Sequence, residues 1–160
     1  MGDVLVNLLA FVAALIGMEG VAWATHRYVM HGPLWSLHRS HHEPRQGPFE
    51  RNDLFAFFFA GIAIALFWAG ARFGFPALWW AAAGATAYGV VYALVHDGLV
   101  HQRWGFRIVP RSGYAKRLVQ AHRMHHATRG REGAVSFGFL YAPNVRRLKA
   151  RTVLPAADER

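Results

Sequence analysis

At 160 residues the chain is about one domain long, and residues 1–160 read as a single unit. Hydrophobic residues make up 54% and aromatics 14%, yet the formal net charge is +9; apolar and basic residues are therefore segregated, as in a small membrane protein with basic flanks, not interleaved as on a nucleic-acid-binding surface. The absence of cysteine excludes disulfides, thiolate metal sites, iron–sulfur clusters and a cysteine nucleophile, which leaves nitrogen and oxygen as metal ligands.

The first apolar stretch covers residues 4–25 and is interrupted only by Asn7 and Glu19. It is long enough to cross a hydrocarbon core as a helix. Ala22-Trp23-Ala24 resembles a small-x-small cleavage site, but the stretch starts at Asp3, carries no leading positive charge and is too long for a signal-peptide core. A retained anchor is expected. Residues 54–71 and 75–95 contain no charge and give the second and third spans. Arg72-Phe73-Gly74 and Pro76 make the tight turn of an antiparallel hairpin between them.

Of the 18 lysines and arginines, only Arg72 falls in that turn; all others lie in 26–53 or beyond residue 101. Basic residues accumulate on the cytoplasmic side of a membrane, so both segments are expected there, with the N-terminus outside. The expected fold is an all-α integral membrane protein of about three helices and a cytoplasmic histidine-rich cap formed by 26–53 and 102–160. A fourth span is conceivable, but the tail is too rich in Arg, Gly and Pro to supply one; an in-plane helix around 115–124 is expected instead.

The ten histidines are His26, His31, His38, His41, His42, His96, His101, His122, His125 and His126. They form four boxes, HRYVMH, HRSHH, HDGLVH and HRMHH, so an HxxxxH followed by an HxxHH occurs twice. On a helix, positions i, i+3 and i+4 share one stripe, so the three imidazoles of each HxxHH are expected to face one centre. Five residues turn an ideal helix by about 500°, which leaves the HxxxxH pair about 140° apart. Either the helix end relaxes, or a π-bulge restores the alignment; Gly32-Pro33 and Gly98 give the chain freedom for this. The boxes end spans one and three or lie in the cap, so all reach one membrane face. Ten imidazoles exceed the needs of one ion, and two metals are implied.

A metal-bound histidine usually donates its other N–H to a carboxylate, carbonyl or amide. Asp97, next to His96, and Asn52 are the candidates for this outer role, with Glu43, Glu50 and Asp53 also near the boxes. Glu19 is costly within span one and is expected to meet a histidine or an arginine, or to reach toward the interface. Phe57, Phe58, Phe59, Trp68, Trp79, Trp80, Tyr88 and Tyr92 are lipid-facing or packing residues, some of which could line an apolar channel. Gly84, Ala85, Ala87 and Gly89 suit close helix packing.

At THRYVMHGPLW, LHRSHHEPR, NDLFA, HDGLVHQRW, AHRMHH and SFGFLYAP the chain resembles the fatty acid hydroxylase superfamily, and within it the bacterial carotenoid-ring hydroxylases. The resemblance covers roughly residues 19–150. It implies that all ten histidines are metal ligands of a non-haem centre of two irons at the cytoplasmic face of the cytoplasmic membrane. It further implies that one atom of molecular oxygen enters carbon 3 of a carotenoid ring and the other leaves as water. No nicotinamide or flavin fingerprint is visible, so electrons must come from a separate donor, by resemblance a ferredoxin with its NAD(P)H-dependent reductase. The competing readings are a fatty-acid or sterol hydroxylase or desaturase on the same centre, and a non-catalytic membrane metal-binding protein.

Overall fold

The computed structural model describes residues 2–105 and 107–153, so residues 154–160 of the expected cap lie outside the described residues. Every regular element among the described residues is a helix. Helix α1 (Gly2–Ala24) runs directly into a π turn (Thr25–Met30), and α2 (Trp35–His42) follows. A short 3-10 turn (Arg51–Asp53) starts α3 (Leu54–Arg72), and α4 (Pro76–Tyr92) runs into a second π turn (Ala93–Val100). Helices α5 (Gly113–His126) and α6 (Val145–Val153) complete the order.

Three continuous helical rods are long and apolar enough to cross a membrane: Gly2–Met30, Arg51–Arg72 and Pro76–Val100, of 29, 22 and 25 residues. At about 1.5 Å per residue each reaches about 33 Å or more, enough for a hydrocarbon core of about 30 Å. Among the described residues there is no fourth. The rods match the expected spans 4–25, 54–71 and 75–95, and the first and third extend further because the π turns prolong them. Leu5, Leu9, Phe57, Phe58, Ile64 and Trp68 are exposed on their outer faces, where lipid takes the place of a protein core.

Helix α4 packs against both α1 and α3. The α1–α4 contact is close because Gly84 has no side chain: a Cβ there would collide with the Phe11 carbonyl oxygen. Gly84 is buried in this seam, whereas Gly89 faces open space, so only part of the small-residue stripe serves packing. The hairpin turn closes with the Phe73 and Phe75 N–H groups donating to the carbonyls of Ala69 and Gly70.

Two apolar clusters support the cap. Ala22, Tyr88 and Phe139 join α1, α4 and the loop after α5, with Leu15, Met18, Tyr92 and Leu140 packed around them. Ala121, Ala142 and Leu148 fix α6 onto α5. The first cluster lies directly beneath the histidines.

Candidate metal centre

Both HxxxxH boxes occupy π turns, one of the two outcomes their spacing allowed. The His31 N–H donates to the His26 carbonyl at 3.0 Å, and the His101 N–H to the His96 carbonyl at 2.9 Å. Each of these i→i−5 bonds joins the two histidines of one box. The widened turn brings the fifth residue back above the first, which an α-helix would leave on another face. Gly98 permits the second π turn to approach the Trp104 indole, since a Cβ would lie 3.1 Å from that ring.

The imidazoles gather into two sets. His26, His31, His38, His42 and His125 present ligand nitrogens that all lie within 4.8 Å of one another, and so do His41, His96, His101 and His122. Each HxxxxH box serves one set. The HxxHH boxes on α2 and α5, each expected from its shared stripe to face one centre, instead divide between the two. Helical geometry explains the division. Positions i and i+4 are about 40° apart and share a direction, while i+3 lies about 60° to the other side. Thus His38 and His42 join the first set and His41 the second. On α5, His122 belongs to the second set and His125 to the first.

His126 completes this pattern by pointing with His122. Its ring lies 4.8 Å from His41, 4.9 Å from His101 and 4.6 Å from His122, and it stacks on His42 at 4.5 Å. Its Nε2 is buried and has no hydrogen-bond partner among the described residues. The element order span, π box, HxxHH helix occurs twice, as α1–α2 and α4–α5, with α3 between.

Hydrogen bonding assigns the tautomers. In the first set, Nδ1–H of His26, His31, His42 and His125 donates to the carbonyls of Phe137 (2.9 Å), Arg131 (2.9 Å), Thr128 (2.9 Å) and Val135 (3.0 Å). His38 Nδ1–H donates to Asn52 Oδ1 at 2.7 Å. In the second set, His41 and His96 donate to Glu50 Oε2 and Asp97 Oδ1, each at 2.8 Å. These oxygens only accept, so every one of the seven Nε2 atoms carries a lone pair.

The Nε2 atoms nevertheless face one another: His26 and His38 at 3.1 Å, His31 and His125 at 3.1 Å, His41 and His96 at 3.2 Å. Two facing lone pairs form no hydrogen bond and repel. A cation between them removes the repulsion. Two ligands about 2.1 Å from one ion and at right angles to each other lie about 3.0 Å apart, and opposite ligands about 4.2 Å apart. The observed spacings therefore suit metal ligation, with shifts of a few tenths of an ångström. The donor set fits the ion class as well, since imidazole nitrogen suits iron, zinc, copper and nickel.

Burial keeps these rings neutral. It pushes His38 down to about 3, partly opposed by the Asn52 hydrogen bond, and His42 down to about 4, partly opposed by the Thr128 carbonyl. His126 is pushed down to about 3 by burial and then by His42 and other neighbouring imidazoles. His41, His122 and His125 fall well below the ordinary histidine value for the same reasons. Burial raises the Glu50 carboxyl, with Arg103 opposing.

Both outer candidates named from sequence, Asn52 and Asp97, touch a histidine. Glu50 does so too, whereas Asp53 pairs with Arg103 at 2.7 Å and Glu43 with Arg39 at 2.8 Å on the surface. Four further partners are backbone carbonyls in residues 128–137, which sequence reasoning missed because a carbonyl has no residue signature. Among the described residues Glu19 meets neither histidine nor arginine. It accepts from Tyr88 and from three backbone N–H groups of the loop after α5.

A cavity of about 700 Å³ reaches His101, His122 and His126 from the cap, past Arg45, Arg123 and Arg129. On the opposite side aromatic rings close the site. Phe139 stacks on His26 at 4.9 Å and meets His96 edge-on at 5.3 Å, and Tyr92 stacks on His96 at 4.6 Å. The channel-aromatic expectation divides accordingly: Tyr88 and Tyr92 face the interior, while Phe57, Phe58, Trp68, Trp79 and Trp80 are exposed along the spans.

Residues 11–143 match the fatty acid hydroxylase family model. The chain is 58% identical to a β-carotene hydroxylase of Pantoea ananas over 144 residues, 90% of this chain and 82% of that one. It is 52% identical to a β-carotene hydroxylase of Paracoccus sp. (strain PC1) over 159 residues, 96% of this chain and 98% of that one. It is also 40% identical to the chloroplastic β-carotene 3-hydroxylase 1 of Arabidopsis thaliana over 139 residues, 82% of this chain and 43% of that one. No solved structure shows a significant match.

Proposed function

This chain belongs to the fatty acid hydroxylase family, and on that footing we propose that it is a membrane-embedded β-carotene hydroxylase whose ten histidines hold two irons. The observation that carries the reading is the set of facing Nε2 lone pairs, each fixed from behind by an acceptor on Nδ1. His26, His31, His38, His42 and His125 serve one iron, and His41, His96, His101, His122 and His126 the other. Asn52 and Asp97, with Glu50, hold ligand rings in orientation. When bound, the irons would pass two electrons from an external donor to O2, so that with two protons and the electron pair of the C–H bond one oxygen atom enters that bond and the other leaves as water.

The remaining work falls to the chain. Its imidazoles stay neutral through burial and are ready to ligate without first losing a proton. Phe139 and Tyr92 separate the ligands from the span side with hydrocarbon surface, which excludes water there. β-Carotene is almost wholly hydrocarbon and stays within the bilayer. Because the π boxes end the first and third rods, only the terminal ring of the substrate reaches the ligands, which supports attack at ring carbon 3 and not along the polyene. Hydroxylation of both rings takes β-carotene through β-cryptoxanthin to zeaxanthin.

The arginines beside the cavity, together with the basic bias of the cap, suit an acidic one-electron carrier such as a ferredoxin supplied by an NAD(P)H-dependent reductase. The same bias supports a cytoplasmic position for the site at the inner membrane. Expression in a β-carotene-producing host tests the reading: 3-hydroxylated β-carotene and then zeaxanthin should form, with oxygen from labelled O2. Label arriving from water, or no carotenoid product despite iron loading and a competent donor, contradicts it and favours a fatty-acyl or sterol substrate.

A further inference from the structure

Glu19 is a carboxylate within an apolar rod, a costly placement unless its oxygens are saturated with donors. They are. Oε1 accepts the backbone N–H groups of Phe139 (2.9 Å), Leu140 (3.0 Å) and Tyr141 (2.9 Å), and Oε2 accepts the Tyr88 hydroxyl at 2.7 Å and shares the Leu140 N–H at 3.1 Å. Three successive N–H groups converging on one oxygen form an anion-binding concavity, here filled from within the chain. Gly138 lets the loop wrap this closely, since a Cβ there would stand 3.0 Å from Oε1 and 2.7 Å from the Tyr141 carbonyl.

The loop so held carries parts of the metal site. The Phe137 carbonyl receives Nδ1–H of His26, the Val135 carbonyl receives that of His125, and the Phe139 ring stacks on His26. Tyr114 of α5 secures the far side, donating to the Leu140 carbonyl and accepting the Ala142 N–H. No metal ligand touches Glu19 in these contacts; its influence passes through the backbone of residues 135–141.

We propose that Glu19 is a positioning residue: by clamping the amides of residues 139–141 to α1 and α4, it holds the carbonyls that orient His26 and His125, and so sustains metal binding by the five-histidine set. This rests on the metal-centre reading above and extends it to a residue outside the histidine boxes. The assignment has a stereochemical consequence. Glutamine keeps the shape and one acceptor oxygen for the three N–H groups, but a neutral carbonyl accepts more weakly than a carboxylate. The NH2 in place of Oε2 loses the shared Leu140 N–H and meets the Tyr88 hydroxyl only by reversing that bond. Glu19→Gln is therefore expected to loosen the loop.

The test compares wild type, Glu19→Gln and Leu15→Ala, each as the full chain purified in lipid nanodiscs. Leu15→Ala loosens the same apolar cluster without removing an acceptor from the loop. Amide hydrogen exchange at residues 139–141 should accelerate by about tenfold or more in Glu19→Gln, the loss expected for hydrogen bonds to a charged group, and stay near wild type in Leu15→Ala. Cobalt(II) titration, followed by its visible bands, should show two sites in wild type and Leu15→Ala and one tight site in Glu19→Gln, with overall helicity unchanged. Wild-type exchange together with two tight sites in Glu19→Gln would overturn the proposal, as would equal losses in Leu15→Ala. Both readouts are independent of turnover, so failure of wild type to hydroxylate carotene would count against the proposed function alone.

Discussion

Replacing Asn52 by alanine isolates one outer contact of the metal site. Asn52 is buried, and its Oδ1 accepts Nδ1–H of His38 at 2.7 Å. Alanine leaves that buried N–H without a partner, at a cost of about 1–3 kcal/mol, and frees the ring to rotate away from the first metal set. Outer partners of ligating histidines typically contribute about 10–100-fold in metal affinity or activity, and the upper half of that range is expected for a site this buried. The assay is competition for iron against a chelator, with turnover measured in parallel. Asn52→Asp retains an acceptor at the same position and should hold metal within a few-fold of wild type. In a His38→Ala background, Asn52→Ala should cost almost nothing more, because its effect passes through His38. Full additivity of the two substitutions, or an unchanged affinity in Asn52→Ala, would refute the reasoning.

Acidification offers a second expectation. His38, His42 and His126 are held at about 3, 4 and 3, against about 6.5 in the unfolded chain. Below the unfolded value the unfolded chain binds more protons than the native one, so stability falls with falling pH. The chelated protein should melt at a constant temperature above about pH 6.5 and progressively lower as pH drops toward 4 and 3; a rise on acidification would contradict buried neutral imidazoles. For topology, a reporter fused after Arg160 should read cytoplasmic and a tag before Val4 external; both on one side would require an even number of spans. Gly84→Leu should separate α1 from α4 at Phe11 and lower the melting temperature of the purified protein, whereas Gly89→Leu, which meets open space, should be tolerated.

Much of this was legible because the chemistry lies in periodicity. The three apolar runs end where charge begins, and α3 spans Leu54–Arg72, within a residue of the expected 54–71. The HxxHH stripes sit on α2 and α5 as helical spacing requires. The misfit of HxxxxH to an α-helix already pointed to a π turn or a relaxed end, and tertiary packing selected the π turn. Asn52 and Asp97 were accessible because few polar groups lie near the boxes. Other features depend on contacts between distant segments. Glu19 meets Phe139 across 120 positions, and its partners are backbone amides that any residue supplies. The angles within one helix separate i+3 from i and i+4, but which set each of them joins depends on how α2 and α5 face each other, which one helix viewed alone does not reveal.

The central claim, two irons held by ten histidines, is tested most directly by iron analysis and Mössbauer spectroscopy on the purified, catalytically active chain. About two irons per chain are predicted, in two environments, since one set is backed mainly by carbonyls and the other by Glu50 and Asp97. A fully loaded, active chain that contains one iron would contradict the account.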